Sequence, residues 1–438
     1  MKMFFIGLDL GATYIKSARI DAEEFSMNGI ERIPFPSFDG NSGKTVSMSR
    51  ILDSVSQAIQ VQLSSHPEKC QGVFLSNQMH GLVLMRGKDF CSPFISWQDL
   101  RCLESEDGVS SFQKLKNRLG IFSVLHETGE YLRPGFPITQ LFRLEGMGEK
   151  LGVVCDLGSA VVSALIGNPV QQIHISNAAA TGCWDIKKGD WHRDIIRTSK
   201  IDCFDWPGVV VGEEVLGYLK WGGRTIPVYP SVGDQQVSLL GAGLWRDDQV
   251  SFNIATGSQV SRLSSQFQVG DFQTRPYFQG RYLQTITHLP AGRALNALLK
   301  LFTELSPQLD LDLAWTEVTR KVDHDLSFSS RLKVNLGFFP SAIGNEGSLT
   351  GLTEENLNVS SVLKACFVSI VQNHLEALKR INQDSRQISE YIGSGGIMQK
   401  SRFLQSAFYN YLGEPIRLSE QSEDALWGLA SRAREIAR

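Results

Sequence analysis

Ile6-Gly7-Leu8-Asp9-Leu10-Gly11-Ala12-Thr13-Tyr14-Ile15-Lys16 reads as an apolar strand, a tight Gly/Thr turn and a second strand leaving it. Such a turn aims backbone N–H groups and a small hydroxyl at whatever lies above it, a geometry suited to phosphate oxygens. The pattern returns half a chain later in Asn253-Ile254-Ala255-Thr256-Gly257-Ser258. One such hairpin is common. Two, a half-chain apart, predict two related domains that clasp a nucleoside triphosphate between them.

Working outward, the second strand continues through Ser17-Ala18-Arg19-Ile20-Asp21. Ile51, Leu52, Val55, Ile59 and Leu63 then recur at helical spacing, and Gly72-Val73-Phe74-Leu75-Ser76 follows as a short buried strand. Hairpin, helix and strand in this order predict an α/β layer architecture. Asp156-Leu157-Gly158-Ser159 leads into a helix over 160–165. Ser231-Val232-Gly233-Asp234 ends a strand that hands over to a helix from Gln235 to Gly241. The junction falls in Gly241-Ala242-Gly243-Leu244-Trp245. Beyond it, strands over 250–254 and 260–263 flank the second turn, and Tyr391-Ile392-Gly393-Ser394-Gly395-Gly396 runs a strand into glycines ahead of a helix at about 401–412. The second half thus repeats the first half's plan, with no residue-level repeat. Domains 1–243 and 244–438 are expected to meet along a cleft, the usual place for a small-molecule site.

The 438 residues leave room for two ordinary domains, and 42% hydrophobic with 20% charged residues is a globular composition. A net charge of −3 gives no electrostatic reason to expect a nucleic-acid or bilayer partner. The apolar start at Met1 is interrupted by Asp9, and no small-residue cleavage site follows, so it is not read as a leader. No segment approaches the ~20 apolar residues of a membrane span. Seven dispersed cysteines without a Cys-x-x-Cys pair argue against a disulfide framework or a zinc site, and point to free thiols in a reducing cytoplasm.

Several residues carry candidate chemistry. Asp9 stands where a strand meets its turn; it either caps that turn or holds Mg²⁺ near phosphates, since Mg²⁺ takes few protein oxygens and keeps its waters. Thr13 and Lys16 offer a hydroxyl and an ammonium to phosphoryl oxygens. Thr256-Gly257-Ser258 would grip them from the other side, and Gly395-Gly396 would let backbone approach a flat ring. Asp234, at a helix start, is either an N-cap or a carboxylate placed to accept a proton from a substrate hydroxyl. Gln78, Met79 and His80 follow a strand's C-terminal end, where open α/β sheets place ligands. Trp97, with Gln98, Asp99 and Arg101 beside it, offers an aromatic wall and polar tips to a polyhydroxylated ligand, or forms a surface turn.

At these residues the chain resembles the FGGY carbohydrate kinases over nearly its whole length. Asp9-Leu10-Gly11-Ala12-Thr13 is similar to the family's first phosphate loop, and Ala255-Thr256-Gly257-Ser258 to its second. Asn77-Gln78-Met79-His80-Gly81 resembles the substrate loop of the xylulokinase branch. Gly233-Asp234-Gln235-Gln236 resembles the segment carrying the general base, and Gly395-Gly396 the adenine-side loop. Ser176-Asn177-Ala178-Ala179-Ala180-Thr181-Gly182 and Gly337-Phe338-Phe339-Pro340 also look like family stretches. Ser96-Trp97-Gln98-Asp99-Leu100-Arg101-Cys102, and Arg275-Pro276-Tyr277-Phe278 with Gly280-Arg281-Tyr282-Leu283, are most similar to sedoheptulokinases.

The resemblance implies two ribonuclease-H-like domains of the actin/hexokinase/Hsp70 superfamily flanking a deep ATP/sugar cleft. It implies ATP- and Mg²⁺-dependent phosphorylation of a primary hydroxyl of a ketose, with sedoheptulose the first expectation. Asp234 would be the base and Asp9 would position Mg²⁺. Gly11, Thr13, Lys16, Thr256, Gly257, Gly292, Gly395 and Gly396 would bind ATP. Gln78, Met79, His80, Trp97, Asp99 and Gln235 would shape the sugar pocket. A kinase for D-xylulose, ribulose or another polyol is the near rival. A non-catalytic sugar or nucleotide sensor on the same fold is the distant one, disfavoured because a sensor has no need of both Asp9 and Asp234. Monomer and homodimer both remain open.

Overall fold

The computed structural model describes residues 2–40, 43–105, 108–120, 127–169, 171–304, 310–327 and 331–437. In the first half, β1 (Phe4–Leu10), β2 (Tyr14–Asp21) and β3 (Ser26–Pro34) form an antiparallel meander. Helix α1 (Met48–Leu63), with the bounds its apolar spacing predicts, carries the chain back so that β4 (Cys70–Asn77) lies parallel to β1. After an excursion containing α2 (Leu157–Ile166), a hairpin of β5 (Gly217–Trp221) and β6 (Arg224–Gly233) completes the sheet in the order β5-β6-β4-β1-β2-β3, with β6 parallel to β4.

The second half repeats this. β7 (Gln249–Ile254), β8 (Ser258–Ser264), β9 (Gln273–Pro276), β10 (Tyr282–Leu289), β11 (Glu390–Ser394) and β12 (Ile416–Leu418) order as β9-β10-β8-β7-β11-β12. β7, β8 and β10 run antiparallel; β11 is parallel to β7 and β12 to β11. A meander of three strands with two parallel strands added beside the first therefore occurs twice, as β3-β2-β1-β4-β6 and as β10-β8-β7-β11-β12. The two expected ribonuclease-H-like units are present.

β1 is buried along its whole length because helices cover both faces of its sheet. Ile6, Leu8 and Leu10 pack with Ile51, Val55 and Ile59 of α1 on one face. On the other lie Phe5 and Ile20, against Val237 of α3 (Asp234–Gly241) and Leu426, Leu429 and Ala433 of the chain's last helix. The chain thus ends by returning to the first sheet. The second core joins Phe252, Ile254 and Val260 to helices α4 (Gly292–Thr303), α5 (Leu311–His324), α6 (Val359–Ile381), α7 (Gly396–Lys400) and α8 (Arg402–Leu412). The last helix, α9, spans Asp424–Ala437. Among the described residues no helix is long and apolar enough to cross a membrane.

One local reading needs correction. The N-cap of α3 is Gly233, and Asp234 is the helix's first residue. Its Oδ1 accepts from the adjacent Gln235 N–H at 2.9 Å, and the carboxylate does not cap the helix.

Candidate active site

β1 and β4 end side by side, with Asp9 in register with Ser76. Asp9 is buried; its Oδ1 accepts from Ser76 Oγ at 2.8 Å and its Oδ2 lies 3.7 Å from Lys16 Nζ. Burial raises its carboxyl above the usual range, with the Lys16 charge and then the Ser76 hydroxyl opposing. Lys16 sits opposite Asp9 across the hairpin and is held at 2.8 Å by Glu423 Oε2 of the segment leading into α9. It stands between two carboxylates. Gly11 N–H closes the turn onto Tyr14 O at 3.1 Å, leaving Ala12 and Thr13 exposed beyond it.

The second turn is built alike, closed by Ala255 N–H on Gly257 O at 3.1 Å, with Thr256 and Gly257 exposed. Two helices start against it. Gly292 and Arg293 at the head of α4 donate their N–H groups to Ala255 O (3.0 Å) and Thr256 O (2.9 Å). A Cβ on Gly292 would lie 2.6 Å from Ala255 O, and one on Gly395, whose φ is +88°, would lie 2.5 Å from Ile254 O. Glycine is required at both by this close approach. Between them opens a cavity of about 620 Å³ lined by Thr256, Gly292, Asn296, Trp315, Phe367 and Gly396. Gly395 lies beneath it, against β7.

On the other side of this turn a cleft of about 490 Å³ brings together Ala12, Gln78, Met79, His80, Trp97, Asp234, Gln235 and Gly257. Strand β6 delivers Asp234, and its end is braced from the expected Ser176–Gly182 stretch. Asn177 Nδ2 donates to Asn77 Oδ1 (3.0 Å) and Ser231 O (2.9 Å), and Ser176 Oγ accepts from Gly233 N–H at 2.9 Å. Burial pushes the Asp234 carboxyl up to about 7, and the charge of Asp9 adds to this; Gln235 N–H, the Arg275 charge and Met79 N–H pull the other way. A carboxylate poised near neutrality at the mouth of a cleft suits a general base.

Gln78 lines the cleft and is buried, and its Nε2 has no hydrogen-bond partner among the described residues. His80 has φ +63° and stacks on Phe136 at 4.1 Å. Its Nδ1 lies 2.8 Å from Ala180 O, a group that only accepts, so Nδ1 carries the proton and Nε2 is left as an acceptor. Arg275 Nη2 approaches that Nε2 at 3.4 Å. Burial, then the Arg275 charge, hold the imidazole well below its ordinary pKa, hence neutral.

Asp99 is not among the residues lining the cleft. Its carboxylate takes the Arg101 side chain (2.9 and 2.6 Å) and the N–H groups of Arg101 (3.1 Å) and Lys44 (3.0 Å). Four donors leave it bracing the loop that presents Trp97. The cleft also takes Arg275, which begins one of the family-like stretches quoted above, and Gln259, Thr287 and His288 of the second half, which the sequence does not single out. Buried Arg275 pairs with Glu130 and donates to Gln235 Oε1, while Gln235 Nε2 donates to Gln259 Oε1 at 2.8 Å. This chain of contacts crosses from one half to the other beside Asp234. An arginine within a short sheet strand is the one local signal for Arg275; Glu130 offers none. Outside both cavities, Glu127, Asp185 and His192 offer ligand atoms within 4.8 Å of one another. Asp185 is already engaged there by Lys188 at 2.9 Å and two backbone N–H groups at 3.0 Å.

The model of the N-terminal domain of the FGGY family of carbohydrate kinases matches residues 4–241. The chain is 21% identical to the sedoheptulokinase of Mus musculus over 97% of this chain and 96% of that one. It is 22% identical to the xylulose kinase of Lactococcus lactis over 97% and 86%. Among solved structures it is similar to the gluconate kinase from Lactobacillus acidophilus, with a TM-score of 0.86 at 18% identity, covering 100% of this chain and 90% of that one. The ligand-bound xylulose kinase from Lactobacillus acidophilus gives a TM-score of 0.83 at 19% identity over 99% and 90%. These structures share the two-domain actin/hexokinase-like fold.

Proposed function

Starting from the fact that this chain belongs to the FGGY family of carbohydrate kinases, we propose that it transfers the γ-phosphoryl group of ATP to the terminal primary hydroxyl of sedoheptulose, giving sedoheptulose 7-phosphate. The observation that carries the reading is Asp234: a carboxylate raised to about 7, opening onto a cleft with polar sugar-type partners on one side and an exposed Gly/Thr turn on the other. The choice of a heptulose is supported by the full-length similarity to a sedoheptulokinase. We divide the chain after Gly243, taking 1–243 as the sugar-binding, base-carrying domain and 244–438 as the nucleotide domain, with α9 packed back on the former. Cytoplasmic residence is part of the same reading, in keeping with seven free cysteines.

In this scheme Asp234 accepts the proton of the attacking hydroxyl late in transfer, when that proton becomes acidic. Gln78, His80, Gln235 and Arg275 hold neighbouring hydroxyls, Met79 and Trp97 cover the C–H faces, and Asp99 acts only through the Trp97 loop. The turns at Gly11–Thr13 and Thr256–Gly257 present N–H and hydroxyl groups to phosphate oxygens, and Gly292, Gly395 and Gly396 form the nucleotide side. Lys16 acts by holding Asp9 and Glu423 in place. Asp9 fits a metal: it is a buried carboxylate offset, among the described residues, by one hydroxyl and an ammonium at 3.7 Å. It would hold Mg²⁺ through water, and the ion would neutralise phosphate charge.

An ADP-release assay with Mg-ATP tests the reading against sedoheptulose, D-xylulose, D- and L-ribulose, glycerol and no sugar. Turnover well above the blank with sedoheptulose supports it. Turnover with a pentulose alone keeps the chemistry and overturns the substrate. Silence across the panel overturns both.

A further inference from the structure

The second half contributes to the cleft a histidine that has no counterpart among the expected sugar residues. His288 is next to last in β10, is open to the cleft, and holds φ at +62°. A non-glycine residue in the left-handed region is strained, and such strain gathers where a side chain must be aimed. Its aim is set by a loop of the first half. Arg133 Nη1 lies 2.7 Å from His288 Nδ1, and Arg133 has no carboxylate within ion-pair distance among the described residues. The loop is tied down next to β9: Thr274 N–H donates to Gly129 O at 2.9 Å, and Glu130 binds Arg275 and Gln273.

This geometry decides where the imidazole proton sits. A guanidinium can only donate, so Nδ1 must accept. Thr287 Oγ1 also lies 2.9 Å from Nδ1, but its proton is committed to Gln273 Oε1 at 2.9 Å, whose own amide nitrogen is spent on Glu130. The neutral ring therefore carries its proton on Nε2, the nitrogen with no hydrogen-bond partner among the described residues. His80, fixed by Ala180 O, is the opposite tautomer. The cleft thus presents one imidazole as acceptor and one as donor.

We propose that His288 is a substrate-contacting residue that donates its Nε2–H to a hydroxyl oxygen of the acceptor sugar, and that Arg133 is the positioning residue that fixes this tautomer. The inference rests on the sugar-kinase reading of the cleft, and not on which ketose is used. The ring stays neutral at working pH: burial, then the charges of Arg133 and Arg275, lower its pKa to about 4, with Glu130 opposing and Arg293 adding to the fall. The donor pattern is accordingly constant from pH 6 to 8.

The test uses His288→Phe, His288→Gln and Arg133→Met in the full chain, assayed on whichever sugar of the panel the parent turns over. His288→Phe should raise the sugar KM about tenfold, the value of one lost hydrogen bond, with the KM for ATP unchanged. His288→Gln, which returns an N–H near the Nε2 position, should recover most of that loss. Histidine ¹⁵N spectra, with the His288 signals assigned by their loss in His288→Phe, should show a pure Nε2–H tautomer in the parent. The same spectra should show a mixture in Arg133→Met, and Nε2 should shift on sugar addition. An unchanged sugar KM in His288→Phe, a fall confined to kcat or to ATP binding, or an Nδ1–H tautomer in the parent overturns the proposal. A switch of preferred sugar leaves it standing and overturns only the choice of sedoheptulose.

Discussion

Asp234→Asn should make the enzyme nearly inactive and, at pH 8, more stable. In the unfolded chain the carboxyl titrates at its ordinary 3.8; in the fold it is raised to about 7 by burial and by Asp9. Between these values the folded state holds a proton that the unfolded chain has released, so stability falls as pH rises through that window, and the whole penalty is present by pH 8. The interval corresponds to about 4 kcal/mol as an upper limit. The side chain is only half-buried and opens on a solvated cleft, so about 2 kcal/mol is the working figure. Asparagine keeps the Oδ1 that accepts from Gln235 N–H and removes the charge. The apo variant should then melt several degrees above the parent at pH 8, with the gain vanishing toward pH 4. Meanwhile kcat should drop by about 10²–10⁴, the contribution of a general base. Thermal unfolding of both proteins at pH 8, 6.5 and 4.5 reads the first effect and the coupled assay the second. A variant that is no more stable at pH 8, or whose gain is the same at every pH, refutes the electrostatic argument. Near-parental turnover refutes the base.

Other perturbations separate the parts of the site. Gly395→Ala places a methyl 2.5 Å from Ile254 O at a φ of +88°, so β11 and the second turn must shift; nucleotide affinity should fall at least tenfold while sugar affinity, read by calorimetry, holds. Glu130→Gln leaves buried Arg275 without its countercharge, a loss of about 3 kcal/mol visible in urea unfolding. Leu426→Ala opens a void between α9 and the first sheet and should destabilise by about 3 kcal/mol. Hydrogen exchange should then speed in β1 and α3 ahead of the second sheet, and the reverse order would show that the last helix does not belong to the first core.

What could be read along the chain and what could not differ in physical kind. The two hairpins and α1 announce themselves because their requirements are local: a turn needs a small residue, and an amphipathic helix needs its spacing. Gly292 is reached only through the family resemblance, because the Ala255 carbonyl that excludes a side chain there is remote in the chain. The polar neighbours of Asp99 suggest a sugar wall, but its carboxylate is taken up by the backbone and side chain of Arg101, two residues on, and by the remote Lys44 N–H, which no local pattern announces. Which sheet α9 covers is not a local property, since its stripe of Ala425, Leu426, Leu429 and Ala433 would suit either core. The cleft beside Asp234 is the extreme case. Glu130, Arg133, Gln259 and His288 are ordinary polar residues in loops and strands, joined only because the 129–133 loop is pinned beside β9. There the sequence names two imidazoles, but whether each accepts or donates depends on a carbonyl at Ala180 and a guanidinium at Arg133, both remote in the chain. A sugar is recognised by its pattern of donors and acceptors, and this pattern comes into existence only when the two halves meet. The two turns, each specified by its own few residues, are therefore legible far earlier than which sugar the cleft would take.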